Sequence, residues 1–228
     1  MTTVVYPYHN NTNWDELRYS LRSLAQIKEE SLQLCLVGEK PSWCKPDIFI
    51  ETKNVGVTKE AAIMNKLLLA SQHKDVSNEF LMVNDDHYLL KTIFISEIAF
   101  WTDGTLEQKI TEKGYGAYGA ALKNTLYTLI NLGLPTRHYD IHVPIKYQKN
   151  KFIDIMNFYD WAKKPTFVIK SLYCNTLMVE PTNMSDNVER GKGFNPNAMW
   201  LSTAHDIVLP TKRWIQNRFP TKSPWEIW

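Results

Sequence analysis

Short apolar runs and helical periodicities alternate along the N-terminal part of the chain. Thr3-Val4-Val5-Tyr6-Pro7-Tyr8 predicts a first strand, followed by a polar loop from His9 to Asn13. Trp14 to Ala25 carries Leu17, Leu21 and Leu24 at helical spacing. Leu32 to Val37 predicts a second buried strand, stopped by Gly38 and Pro41, and Asp47 to Glu51 a short third. From Thr58 to Gln72, Ala61, Met64 and Leu68 share one helical face, with Ala62 and Leu69 beside them and Thr58 as the expected cap. Phe80 to Val83 predicts a fourth strand. The order β-α-β-β-α-β implies an α/β fold with a mostly parallel, Rossmann-like central sheet flanked by helices.

The rest of the pattern is less regular. Gly114-Tyr115-Gly116-Ala117-Tyr118-Gly119 predicts a flexible turn into a helix over Ala120 to Leu132, ended by Gly133 and Pro135. Asp140 to Pro144 is expected as a short strand or loop, Asn150 to Tyr159 as a helix, and Phe167-Val168-Ile169 as a strand leading into Lys170. The tail mixes Lys212, Arg213, Arg218 and Lys222 with Trp214, Trp225 and Trp228. It reads either as a hydrophobic latch folded onto the sheet or as a basic-aromatic surface for single-stranded nucleic acid. No repeat or linker interrupts the 228 residues, so one domain over 1–228 is expected.

Composition changes this picture little. A net charge of +2 is too weak to demand nucleic acid. The three cysteines, Cys35, Cys44 and Cys174, lack metal-like spacing, and their odd number argues against a disulfide framework. No apolar run is long enough to span a bilayer and no leader pattern precedes Val4, so a soluble, cytoplasmic protein is expected.

Chemistry concentrates where Phe80-Leu81-Met82-Val83 runs into Asn84-Asp85-Asp86-His87. Adjacent carboxylates at a buried strand end are costly unless something pairs with them, and a hard divalent cation is the natural partner. Ligands in doubly wound sheets sit beyond the carboxyl ends of the strands. Two aspartates there suggest a metal site for a diphosphate. Neighbouring strand residues point to opposite faces, so Asp86 is expected on Mn²⁺ or Mg²⁺ and Asp85 on a ribose or a water. The alternative is an acidic turn that only ends the strand.

Further candidates follow from their positions. His142 offers an imidazole as a third ligand or a phosphate contact. Asp140, two residues earlier and on the same face if the segment is extended, offers a general base for an acceptor hydroxyl. Arg18, which shares a helical face with Arg22, could reach phosphate or be ion-paired. Lys66 sits beside the apolar stripe of its helix and could approach a pyrophosphate. Lys170, at the end of an expected strand, would point into the same crevice. His87 is a further contact or a rim residue.

Trp14-Asp15-Glu16-Leu17-Arg18-Tyr19-Ser20-Leu21-Arg22-Ser23-Leu24 resembles the second conserved region of the stealth-type sugar-phosphate transferases. The apolar Leu34 to Val37, then Pro41-Ser42-Trp43, Asn84-Asp85-Asp86 and His142-Val143-Pro144 follow in that family's order. The chain is also similar to short phage and bacterial proteins of the GT-A nucleotide-diphospho-sugar transferase superfamily. The initial strand departs from the stealth pattern, because Val4-Val5-Tyr6-Pro7-Tyr8-His9 lacks its acid.

The resemblance implies a nucleoside-diphosphate sugar as donor, residues 1–90 as the nucleotide-sugar-binding half, and 91–228 as the acceptor half with its tail. Tyr6, Tyr8 and His9 would lie at the nucleoside. The activity it implies is glycosyl transfer to a hydroxyl acceptor, a saccharide or a hydroxymethylated pyrimidine in phage DNA, in the host cytoplasm if phage-encoded. The alternatives are sugar-1-phosphate transfer and a non-catalytic carbohydrate or nucleotide-binding module. Donor sugar, acceptor, stereochemical outcome and oligomeric state are not encoded in any spacing.

Overall fold

Strict alternation within the N-terminal strands decides how the sheet is covered. Val4 and Tyr6 of β1 (Thr2–Tyr8), Leu34 and Leu36 of β2 (Leu32–Gly38), and Leu81 of β4 (Glu79–Met82) face one layer of the core. Val5, Cys35, Val37, Phe80 and Met82 face the other. A strand whose two faces are both buried reads as a continuous apolar run, which is what a parallel sheet between helices requires. The computed structural model describes residues 1–10, 14–28, 31–53, 58–183, 195, 197–203 and 209–227, with 188–191 as backbone only. Asn11 to Asn13 of the expected loop and Trp228 of the tail lie outside the described residues.

The central sheet has the order β3-β2-β1-β4-β7, where β3 is Ile48–Glu51 and β7 is Ile145–Gln148. The first four strands are mutually parallel and β7 runs antiparallel to β4. Sheet growth reverses direction between β1 and β4, so their carboxyl ends open the crevice where such folds bind ligands. On one face lie α2 (Lys59–Gln72), α4 (Gly116–Asn131), α5 (Lys149–Phe158) and α6 (Ile169–Thr176), contributing Met64, Leu67, Leu122, Phe152 and Leu172 to the core. On the other, α1 (Glu16–Ser23) buries Leu17 and Leu21, and a 3-10 turn, Leu24–Gln26, extends it. Thr58 caps α2 as expected, its hydroxyl accepting the Ala61 N–H at 3.2 Å.

A second, smaller sheet stands over the crevice. β5 (His87–Leu89) pairs antiparallel with β10 (Trp200–Thr203), which also pairs with β9 (Val188–Gly191). β6 (Trp101–Thr102), β8 (Thr182–Asn183) and α3 (Leu106–Lys113) complete the middle of the chain, and α7 (Leu209–Arg218) begins the tail. None of these had a distinct signal in the sequence. The tail folds back as a latch: Trp225 is buried, its indole N–H donates to Asp47 (2.8 Å), and Glu226 holds Arg22 through two bonds of 2.7 and 2.8 Å. Lys212 lies over the Trp14 ring and Arg218 donates to the Leu90 carbonyl. No helix among the described residues is long and apolar enough to cross a membrane.

Two sequence expectations fail in the second half. Helix α4 starts within the glycine stretch, at Gly116, whose φ of +67° makes the turn. Phe167-Val168-Ile169 is not a strand: Val168 donates its N–H to the Thr125 hydroxyl, and Ile169 opens α6. A short apolar run fits a buried helix end as well as a buried strand. Lys170 therefore does not stand at a strand end.

Candidate metal centre

The fourth strand delivers Asn84, Asp85 and Asp86 to the crevice, and the chain returns at once as β5. Backbone pairing of His87 with Ser202 brings β10 alongside, so the Ser202 hydroxyl donates to Asp86 Oδ2 at 3.2 Å. From the other side, the loop before β7 brings His142 Nδ1 to 3.4 Å from the same oxygen and from Ser202 Oγ. His87 Nε2 stands 3.6 Å from Asp86 Oδ1, and its ring meets that of His142 edge-on at 6.1 Å. One ligating atom from each of Asp86, His87 and His142 lies within 4.8 Å of the others.

Three Lewis-basic side chains, one buried and two part-exposed, suit a divalent cation. Among the described residues this is the one such cluster. The Asp86 carboxylate and the His142 imidazole, with a second imidazole beside them, offer mixed oxygen and nitrogen donors of the kind that bind divalent transition metals. The two histidines are not equivalent. Asn84 N–H donates to His87 Nδ1 at 3.3 Å, so the neutral ring carries its proton on Nε2, facing Asp86. In this tautomer the Nε2 proton faces Asp86 from 3.6 Å, beyond hydrogen-bonding distance, and His87 ligates only after that proton moves.

Asp85 records the surplus negative charge. Desolvation, then the nearby Asp86 and Glu16 carboxylates, push its carboxyl up from 3.8 to about 7, against its own backbone N–H and Lys59. Glu16 carries no signal of its own in the sequence beyond its place in the Trp14–Leu24 block. It is buried at the start of α1 and accepts the Thr203 hydroxyl at 3.0 Å, while Thr203 N–H bonds the Asp86 carbonyl at 3.1 Å. Thr203, Ser202 and Glu16 come from segments far apart in the chain, so no local pattern could announce them.

The remaining candidates divide by location. Lys66 is buried under the ends of β1 and β2, with Nζ donating to the Tyr8 carbonyl at 2.7 Å. Burial lowers its pKa, while Glu39 and Asp85 raise it. Gly38 permits the approach: at φ +124°, a Cβ there would stand 2.1 Å from the Tyr8 oxygen. Tyr8 donates its hydroxyl to Asn10, and His9 is exposed with Nδ1 2.8 Å from Glu39. Tyr6 has no exposed face for a base. It is fully buried, with its hydroxyl 2.9 Å from Ser20.

Arg18 is occupied at the tail, its guanidinium 4.6 Å over Trp43 and 3.7 Å from Glu226, with Asp15 at 3.6 Å. Asp140 and His142 do not share a face. The segment is not extended, because Ile141 and Val143 donate back to Tyr139 and Ile141, two residues earlier, at 2.8 Å each. Asp140 instead accepts the Tyr118 hydroxyl at 2.9 Å, which lies 3.4 Å from His138 Nε2. Lys170 is buried in α6 and turns its ammonium into the loop that carries His142, not into the crevice.

No family model and no curated relative matches this sequence. Among solved structures, the chain is similar to the glycosyltransferase GlyE of Streptococcus pneumoniae TIGR4, at 10% identity and a TM-score of 0.41. The match covers 82% of this chain and 45% of that one, so this protein spans less than half of the longer structure.

Proposed function

We propose that this protein is a metal-dependent glycosyltransferase that moves a sugar from a nucleoside-diphosphate sugar to a hydroxyl acceptor. The single observation that carries the reading is the convergence of Asp86, His142 and His87 at the carboxyl ends of β1 and β4. That position suits a diphosphate, because the three side chains stand where the sheet opens. In this reading Asp86 and His142 would hold Mn²⁺, and the Ser202 hydroxyl sets the Asp86 carboxylate. The ion supplies neutralisation of charge on the departing nucleoside diphosphate.

The chain's own residues do the rest. The bond between the sugar's anomeric carbon and the diphosphate oxygen breaks, and the acceptor oxygen takes that carbon while its proton passes to a base. Asp85, near neutrality in its affinity for a proton, contacts the donor ribose. Asp140, oriented by Tyr118, is the candidate base. Tyr8 and His9, with Lys66 beneath them holding the Tyr8 carbonyl, line the nucleoside side, in residues 1–90 of one continuous transferase unit over 1–228. Residues 91–228 bound the acceptor, and the work is cytoplasmic. Tyr6, Arg18 and Lys170 have no donor contact in this reading, because each is engaged elsewhere.

The test is incubation with a panel of nucleoside-diphosphate sugars, Mn²⁺ and hydroxyl acceptors, read by product mass. Addition of a sugar supports the proposal. Addition of a sugar phosphate moves the broken bond to P–O, and donor binding with neither product reduces the protein to a binding module. Hydroxymethylcytosine DNA belongs in the acceptor panel beside simple glycosides. DNA transfer would fall steeply with salt as phosphate contacts release counterions.

A further inference from the structure

His142 sits on a stretch with no regular backbone, and side chains of α6 hold that stretch from one end to the other. Asn175 accepts the Arg137 N–H at 3.1 Å and donates to the Arg137 carbonyl at 2.8 Å. Ser171 Oγ accepts the Tyr139 N–H at 2.9 Å. Lys170 Nζ then donates to the carbonyls of Ile141 (2.6 Å) and Val143 (2.7 Å), the residues on either side of His142. All three side chains are buried. An ammonium is costly to remove from water, and charge-assisted bonds to two main-chain oxygens are the compensation seen here. The carbonyls it grips also accept or flank the tight reversals at Tyr139–Ile141 and Ile141–Val143. A displacement of the Ile141 carbonyl would rotate the peptide plane that enters His142, and one of the Val143 carbonyl would rotate the plane one residue beyond it.

We infer that Lys170 is a positioning residue for His142: its ammonium fixes the main chain on both sides of that histidine and thereby sets the imidazole against Asp86. The inference rests on the proposed metal centre for its consequence, and it gives Lys170 a part in that centre without contact to ion or donor. Arrangement of an outer group behind a ligand typically alters metal affinity about tenfold to a hundredfold.

A matched comparison exists within the molecule. Lys149 Nζ likewise donates to two main-chain carbonyls, those of His73 (2.6 Å) and Val76 (3.0 Å), in the turn after α2. Lys170→Met and Lys149→Met should both lower stability. Only Lys170→Met should shift and broaden the His142 imidazole ¹H–¹³C signals in metal-free protein. Only it should weaken Mn²⁺ binding, followed by the electron paramagnetic resonance of free Mn²⁺, by about tenfold or more. In a His142→Ala background, Lys170→Met should have no further effect on Mn²⁺.

If Lys170→Met does not fold, Lys170→Arg carries the same NMR comparison, since a planar fork cannot reproduce the compact ammonium. Absence of Mn²⁺ binding in the wild type, with His142 signals still displaced by the Lys170 variant, refutes the metal reading and leaves the positioning role standing. Unchanged His142 signals in a folded Lys170 variant overturn the inference whatever the Mn²⁺ result.

Discussion

Replacing Asp85 by Asn should stabilise the metal-free protein above about pH 4, and by more at alkaline pH than in mild acid. The carboxyl is raised from 3.8 to about 7 in the fold, first by desolvation and then by Asp86 and Glu16. Between those values the native state keeps a proton that the unfolded chain has released. Stability therefore falls with rising pH across that window, at about 1.4 kcal/mol per pH unit. Between pH 5 and pH 8 the wild type should lose about 3 kcal/mol through this group, as an upper figure because water still reaches the part-exposed carboxylate. Asn has the same shape and no proton to lose, so Asp85→Asn should lack that loss. The assay is urea unfolding of both proteins at pH 5 and pH 8 in chelator, compared by linear extrapolation. Other titrating groups are common to both and largely cancel in the difference. Mn²⁺ at pH 8 should restore part of the wild-type stability, because a cation beside Asp86 favours the ionised form. Parallel pH dependence in the two proteins would refute the reasoning.

Asp86→Ala should abolish both Mn²⁺ binding and transfer while the protein stays folded; full activity in that variant would remove Asp86 from the centre. His142→Ala should weaken Mn²⁺ binding by about tenfold or more in calorimetry, and an unaltered affinity would leave the imidazole outside the ligand set. Glu226→Ala should destabilise by about 1.5–3 kcal/mol in urea unfolding, because it removes the two charge-assisted bonds to Arg22 and leaves that guanidinium only the Phe219 and Pro220 carbonyls. A loss below about 1 kcal/mol would mean the latch behaves as a surface ion pair.

The sheet was legible because its strands are buried on both faces. Val4 to Tyr6, Leu34 to Val37 and Phe80 to Met82 are apolar throughout, and the fourth strand visibly ends in acids. The same logic misled at Phe167 to Ile169, where three apolar residues in a row enter a buried helix and carry no period to separate the two cases. Asp86 and His142 were readable as metal-ligating types at strand and loop ends. The partners that shape them were not. Ser202 and Thr203 reach the site only through the pairing of β10 with β5, and Glu16 only through the packing of α1 over the crevice. Lys170 was visible as a cation, but whether it serves a phosphate or two carbonyls depends on a helix boundary that the pattern left open. Arg18 and Arg22 share the helical face that the sequence predicted, and the tail's Glu226 is what that face meets.

The most direct test of the account is anomalous diffraction at the manganese edge from crystals grown with Mn²⁺ and a nucleoside diphosphate. The account predicts one strong peak within bonding distance of the Asp86 carboxylate and the His142 imidazole, bridged to the diphosphate oxygens, and no such peak in crystals of Asp86→Ala. A nucleotide bound in the crevice without a peak there, or a manganese peak held by other residues, would contradict it.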